Sequence, residues 1–230
     1  MRVVALVLAA GQGRRMGTET NKPYLLLAGK PILFHTLHEF EECPSIDEVV
    51  LVVEKDEVDH ARSAIVEAFG CSKVTGIVAG GLKRQDSVWE GIKAIKGDCE
   101  LVMVHDGVRP FISQVLLQKA IDATRESGAT VVAVPVKDTI KVVSREKEVL
   151  QTLDRKTLWS VQTPQTFNHD LLKRAHEKAK QDGFYGTDDA SLVERMGVTV
   201  RVVEGSYENI KITTPEDLVI GETMIGRGRS

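Results

Sequence analysis

The chain predicts an α/β fold with a mostly parallel sheet and helices on both faces. Three observations point there: short β-branched runs recur along the chain, most of them lack apolar/polar alternation, and helical patterns fall between several of them. The 230 residues are 42% hydrophobic and 27% charged, which is enough apolar material for one large core. A single domain over residues 1–230, with one excursion, is the expectation.

The first run, Val3 to Leu8, follows Arg2 and leads through Ala9 and Ala10 straight into Gly11-Gln12-Gly13-Arg14-Arg15. It is too short for a targeting segment and reads as a buried strand. Pro31 then opens a helix carrying Ile32, Leu33, Leu37 and Phe40 at helical spacing. A strand is expected at Val49 to Val53, followed by a helix of Val58, Ala61, Ile65 and Phe69 that ends at Gly70. Strands follow at Val74 to Val78, Leu101 to Val104 and Val131 to Val134. Helical patterns return at Leu171 to Lys180 and Ala190 to Met196. A last strand, Val198 to Val203, precedes a helix opened by Thr214-Pro215-Glu216-Asp217.

The segment Val136 to Phe167 breaks this rhythm. Short β-like pieces, Thr139 to Val143 and Val149 to Leu153, flank the charged turn Ser144 to Glu148, so it reads as a protruding β-arm at about 137–160. An exposed hairpin is marginal alone and has open edges, so the arm predicts a homodimer that packs it against a second subunit.

Composition excludes several classes. The formal net charge is −3, which offers no basic field for a long nucleic acid, and 5% aromatics are too few for base-stacking platforms. No stretch approaches the roughly 20 apolar residues that a membrane span needs. Cys43, Cys71 and Cys99 are odd in number with no CxxC spacing, which suits a reducing cytoplasm. His35, His38 and the other histidines have no third ligand nearby in sequence and read as surface or packing residues. Trp89 and Trp159 read as packing the core or the arm.

In a doubly covered parallel sheet, ligands sit beyond the carboxyl ends of the strands. The loops beginning at Ala9, Ala79 and His105 are rich in Gly or charge and form the candidate site. The first reads Ala9-Ala10-Gly11-Gln12-Gly13-Arg14-Arg15-Met16-Gly17, then Asn21-Lys22-Pro23. Small residues let backbone N–H groups approach a phosphate closely, and three cations lie nearby, so the pattern reads as a triphosphate cradle. A dinucleotide fingerprint would need Gly where Met16 stands. A Walker loop would need Ser or Thr after Gly29-Lys30, where Pro31 stands.

The run Leu8-Ala9-Ala10-Gly11-x-Gly13-x-Arg15-Met16, with a following Lys-Pro-Tyr-Leu element, resembles the signature of the nucleotidyltransferase superfamily. Further motifs follow in order: Gly80-Gly81-x-x-Arg84-x-x-Ser87-Val88, His105-Asp106-x-x-Arg109-Pro110, Asp138-Thr139, Asp154-Arg155-x-x-Leu158-Trp159, Gln162-Thr163-Pro164-Gln165, Thr187-Asp188-Asp189-Ala190-Ser191 and Asn209-Ile210-Lys211. Together they resemble the 2-C-methyl-D-erythritol 4-phosphate cytidylyltransferase family over nearly the whole chain. The resemblance implies a Rossmann-like domain with a dimerising β-arm. It implies CTP and Mg²⁺, and the products CDP-methylerythritol and pyrophosphate, in isoprenoid precursor synthesis. Residue by residue, it assigns Ala9, Ala10, Gly11, Gly13, Arg15 and Lys22 to the CTP phosphates, and Gly80, Gly81, Arg84 and Ser87 to base and ribose. Asp106, Arg109, Thr139, Thr187 and Lys211 would hold the methylerythritol phosphate, with Arg155 reaching in from the partner's arm. Gly107-Val108 stands where the family often has Ala-Ala, and Pro23 where Gln is usual.

The chemistry suits these residue types. Attack of one phosphate on another concentrates negative charge, so preorganised cations lower the barrier, and Arg15, Lys22 and Lys211 are the candidate catalytic residues. A phosphomonoester is already anionic, its second pKa being about 6, so no general base or essential histidine is expected. Asp106 is expected to hydrogen-bond substrate hydroxyls rather than Mg²⁺, which would come mainly through the CTP phosphates. His105, at a strand end, reads as structural. The rival acceptor is ribitol 5-phosphate, whose cytidylyltransferases share the Gly-rich loop and the Asn209-Ile210-Lys211 motif. The Arg155 and Thr187 motifs favour methylerythritol phosphate. A rival of another class is a catalytically inactive nucleotide-binding regulatory protein, against which the joint presence of Arg15 and Lys22 counts.

Overall fold

The computed structural model describes residues 2–11 and 21–227. Its strands are β1 (Val3–Leu8), the short hairpin β2 (Leu26–Leu27) and β3 (Lys30–Pro31), β4 (Glu48–Val53), β5 (Val74–Ala79), β6 (Leu101–Asp106), β7 (Ala129–Pro135), β8 (Lys141–Val143), β9 (Val149–Thr152), β10 (Trp159–Asn168) and β11 (Arg201–Glu204). Its α-helices are α1 (Ile32–Glu41), α2 (Val58–Ala61), α3 (Arg84–Ala94), α4 (Gln114–Ser127), α5 (His169–Gln181), α6 (Asp189–Arg195) and α7 (Pro215–Gly226).

Seven strands form one sheet in the order β11-β7-β10-β6-β1-β4-β5. Strand β1 runs parallel to both β4 and β6, and only β10 opposes its neighbours, β6 and β7. This is the predicted mostly parallel α/β sheet. Because side chains alternate across a strand, Val3, Ala5 and Val7 enter one core while Val4 and Leu6 enter the other. The first core is closed by α1, α2 and α4 through residues such as Leu37, Ala61 and Leu117, the second by α3, α5 and α6 through Ile92, Leu172 and Val193. Leu6 is wholly buried. Cutting it to Ala would cost about 2–5 kcal/mol, the usual range for a core leucine.

Local chemistry sets the helix ends. Ser113 caps α4 by accepting a hydrogen bond from the Leu116 N–H, and Gly128, at φ 80°, supplies the left-handed turn that ends it. The expected Thr214–Asp217 capping box opens α7. Helix α2 passes into a π-helical turn, Arg62–Glu67, before Gly70, so the expected helix is present but irregular.

Two expectations need correction. The segment to Phe167 is not all arm: Trp159–Asn168 is a ten-residue strand in the middle of the main sheet, paired with β6 and β7. Its interior residues Gln162, Thr163, Gln165 and Thr166 are polar, so no apolar run betrays their burial. The hairpin β8–β9 with its flanks is what protrudes, and Trp159 at the start of β10 is exposed, whereas Trp89 packs against the second core. The last strand also starts later than expected, at Arg201, because Val198 and Val200 pack against the second core ahead of it.

Candidate active site

The chain connects β1 to β4 on one side of β1, while β6 lies on the other, so the sheet changes direction between β1 and β6. A crevice opens at such a point beyond the carboxyl ends of the strands. Hydrogen bonds stitch the strand ends together: Ala9 N–H to Val52 O (2.7 Å), Gly80 N–H to Val53 O (2.7 Å) and Gly107 N–H to Leu8 O (2.7 Å). A cavity of about 720 Å³ lies there, walled by Ala9, Ala10, Gly11, Lys22, Gly81, Arg84, Ser87, Asp106 and Lys211 among others.

Glycine is obligatory at one edge. A Cβ on Gly80 would stand 2.5 Å from Cβ of Ala10 and 2.7 Å from Oγ of Ser87, so the first and second loops touch only because residue 80 has no side chain. Ser87 is buried; its hydroxyl accepts from the Gly81 N–H (3.2 Å) and donates to Lys83 O (3.2 Å), which closes the loop at the start of α3.

Asp106, the last residue of β6, is the electrostatic centre. Its Oδ2 lies 2.9 Å from Lys211 Nζ and 3.4 Å from Arg109 Nε, and its Oδ1 lies 3.7 Å from Arg84 Nε. Burial alone would raise the Asp106 pKa, but Lys211, Arg84 and Arg109 outweigh it and hold the carboxyl well below the usual range. For Arg84, burial works against the charge and Asp189 and Asp106 more than restore it, so its pKa ends raised. For Arg109, burial prevails over Asp106, so its pKa ends lowered. A guanidinium stays protonated in either case.

The last motif, Asn209-Ile210-Lys211, delivers Lys211 through a buried asparagine. Asn209 donates from Nδ2 to Thr163 O (2.9 Å) and Gln162 Oε1 (3.1 Å), and its carbonyl accepts from Arg109 (2.9 Å). The Ile212 N–H to Val108 O bond (2.9 Å) then lays this loop beside the 107–109 turn. His105 is fully buried, donating from Nε2 to Arg109 O (3.1 Å) and accepting at Nδ1 from the Thr163 hydroxyl, which itself accepts from the Asp106 N–H. Burial pushes its pKa down to about 4, so it is neutral and structural.

Lys22 is buried at the cavity wall, with Nζ 3.0 Å from Thr213 O. Arg109 braces Asp106 from behind and is not part of that wall. Thr139 and Arg155 sit exposed on the arm, where Arg155 donates to Lys137 O (2.8 Å), and Thr187 is exposed just ahead of α6; none of the three borders this cavity. Gly13 and Arg15 lie outside the described residues. Sequence reasoning missed Glu54, Leu82, Lys83 and Thr213 on the wall. Lys83 and Thr213 neighbour quoted motifs, and that proximity was the only signal available for them.

Among the described residues no group of three or more His, Cys, Asp or Glu could hold a metal ion, and no helix is long and apolar enough to cross a membrane. The arrangement is a cleft of about 720 Å³ whose wall combines the small residues Ala9, Ala10 and Gly11 with the cations Lys22, Arg84 and Lys211 and the ion-paired carboxylate of Asp106. It is suited to binding two anionic groups side by side.

Comparison with known proteins places this geometry in context. The family model described as 2-C-methyl-D-erythritol 4-phosphate cytidylyltransferase matches residues 3–227. A relative of that name from Geotalea uraniireducens is 52% identical over 228 residues, covering 98% of this chain and 97% of its own. One from Alkaliphilus metalliredigens is 49% identical over 226 residues, covering 98% and 94%. The solved 4-diphosphocytidyl-2C-methyl-D-erythritol synthase of Anaerococcus prevotii superposes with a TM-score of 0.87 at 36% identity, over 98% of this chain and 96% of that one. The 2-C-methyl-D-erythritol 4-phosphate cytidylyltransferase of Thermus thermophilus gives 0.78 at 32% identity, over 96% and 98%.

Proposed function

The chain belongs to the 2-C-methyl-D-erythritol 4-phosphate cytidylyltransferase family, and from that premise we propose how its residues divide the work. The reaction is transfer of CMP from CTP to 2-C-methyl-D-erythritol 4-phosphate in isoprenoid biosynthesis. An acceptor phosphate oxygen attacks the α-phosphorus of CTP. A new P–O–P linkage forms, the bond from the α-phosphorus to the bridging oxygen breaks, and pyrophosphate leaves with the electron pair.

The observation that carries the division of labour is the make-up of the cavity wall, where the small residues Ala9, Ala10 and Gly11 and the buried Lys22 share the lining with Asp106, ion-paired to Lys211. We assign the nucleotide phosphates to Ala9, Ala10, Gly11 and Lys22, together with Gly13 and Arg15, and the nucleoside to the Gly80–Ser87 side. The acceptor goes beside Asp106 and Lys211: Asp106, already neutralised by cations, accepts hydrogen bonds from its hydroxyls, and Lys211 neutralises its phosphate. Lys22 and Arg15 stabilise the charge that gathers around the α-phosphorus. No side chain need remove a proton, because the attacking phosphate is already an anion.

We also assign Mg²⁺ to the CTP phosphates. The described carboxylates on the cavity wall are Asp106 and Glu54, and Asp106 already faces three cations. That donor set fits an ion that keeps several waters and binds mainly through substrate phosphates. When bound, the ion supplies charge neutralisation at the phosphates.

A homodimer through the arm is the assembly we favour. Val142, Val143, Val149 and Leu150 leave apolar surface exposed on a two-stranded hairpin that is marginal alone. Thr139 and Arg155 lie on the arm rather than at this chain's cavity, which suits contacts made to the partner's acceptor. A reducing cytoplasm suits the free thiols of Cys43, Cys71 and Cys99, and burial pushes those of Cys71 and Cys99 up to about 11. The test is pyrophosphate release from CTP with methylerythritol phosphate against ribitol 5-phosphate.

A further inference from the structure

We propose that Asp189 and His176 form a buried positioning pair that fixes the Arg84 guanidinium at the cavity wall. Arg84 opens α3 and borders the cavity, with Nε toward Asp106 Oδ1 at 3.7 Å. Its NH1 makes a much shorter bond, 2.6 Å, to Oδ2 of Asp189. Asp189 is 1% exposed, and its other oxygen, Oδ1, lies 3.2 Å from Nε2 of His176, which is 3% exposed. The Trp89 indole lies parallel to the His176 ring, tilted by 15° with centroids 6.3 Å apart. Gln165 Oε1 accepts from the backbone N–H groups of both Asp189 and Ala190 (3.1 Å each), which holds the start of α6 in place. Helices α3, α5 and α6 and strand β10 therefore meet behind one guanidinium.

The pair is poorly explained as a stability device. A buried ion pair is weak evidence for stability, because packed apolar side chains of equal volume often do as well or better. What a carboxylate bonded on both oxygens adds is direction. It accepts the planar guanidinium in one orientation and leaves the Nε edge facing Asp106. Both Asp106 and Asp189 claim the same cation, and the shorter bond decides where it sits. Neither Asp189 nor His176 lines the cavity, whereas Arg84 does, so the pair acts through Arg84.

The proposal rests on the cytidylyl-transfer reading above, and a double-mutant cycle with Arg84 tests it separately. D189N should lower kcat/KM for CTP by about ten- to a hundredfold, the scale of a group displaced by about an ångström. In an R84A background D189N should add less than about twofold, since residues acting through one another are non-additive. H176L should lose activity in the same background-dependent way, and H176Q, which keeps an N–H donor, should recover most of that loss. Equal losses from D189N with and without Arg84 would overturn the pair. So would unchanged rates in both D189N and H176L. Should D189N not fold, H176L and H176Q with and without R84K decide by the same criterion. Crystal structures of the wild type and H176L keep the question apart from the reaction reading: an unmoved guanidinium overturns the pair whatever the rates.

Discussion

Lys211 sets its ammonium 2.9 Å from Asp106 Oδ2, joining the loop that follows β11 to the end of β6 across the mouth of the cavity. Arg84 and Arg109 crowd the same carboxylate. Asp106→Asn would leave those cations facing a neutral amide, and removing one partner of a buried pair costs about 3–5 kcal/mol. The urea midpoint of the variant should fall accordingly and its KM for the acceptor should rise. Acid titration gives the sign. The unfolded Asp106 carboxyl has a pKa of about 3.9, and the native one is held lower by its cations against the opposing effect of burial. Its contribution is therefore full above about pH 4 and is lost as pH falls toward the native value. The wild type should lose stability below about pH 4 more steeply than the variant.

His105 makes a second acid prediction of different origin. Burial lowers its native pKa to about 4 from an ordinary value of 6.5, so the unfolded chain binds a proton through that window while the native chain refuses it. Native stability should then decline as pH falls from 6.5 to about 4, by about 3 kcal/mol at 1.36 kcal/mol per unit. His105→Asn should flatten that decline in urea melts at pH 7 and pH 4.5. Its pH–rate profile near neutrality should keep the wild-type shape, because the proposed reaction assigns no step to a histidine.

Gly80→Ala puts a methyl 2.5 Å from Cβ of Ala10 and 2.7 Å from Oγ of Ser87. One of the two loops must move. Overpacking of this kind costs about 1–3 kcal/mol, and CTP affinity measured by calorimetry should fall while acceptor affinity changes little.

Lys22→Ala removes a buried cation from the cavity wall, and on the proposed role turnover should drop by about a hundred- to a thousandfold, the usual effect of deleting one preorganised charge stabiliser. Arg155→Ala should weaken acceptor use more than CTP binding. If Arg155 serves the partner's site, mixing the two variants should restore part of the activity through hybrid dimers. Mixed dimers without recovered activity would place Arg155 outside the partner's site.

The legible parts of this molecule carry apolar signals or dense local motifs. The run Val3 to Leu8 announced β1 because a strand buried on both faces needs no polar residues, and Thr214-Pro215-Glu216-Asp217 announced α7 because capping is local chemistry. Strand β10 was hidden because Gln162, Thr163 and Gln165 are buried through hydrogen bonds rather than hydrophobicity, and Pro164 spoils a strand pattern. In the site, Asp106 and Lys211 stood out within motifs, but the cluster of three cations around one carboxylate depends on the fold bringing the start of α3 and the loop after β11 to the end of β6. The Asp189–His176 pair had no legible signal, since it exists only once α5 and α6 lie side by side.

The most direct test is to follow pyrophosphate with purified chain, CTP, Mg²⁺ and either methylerythritol phosphate or ribitol 5-phosphate. Release that depends on CTP and on methylerythritol phosphate, with little from ribitol phosphate, is the predicted result. Turnover with ribitol phosphate alone, or CTP binding without any release, would contradict it.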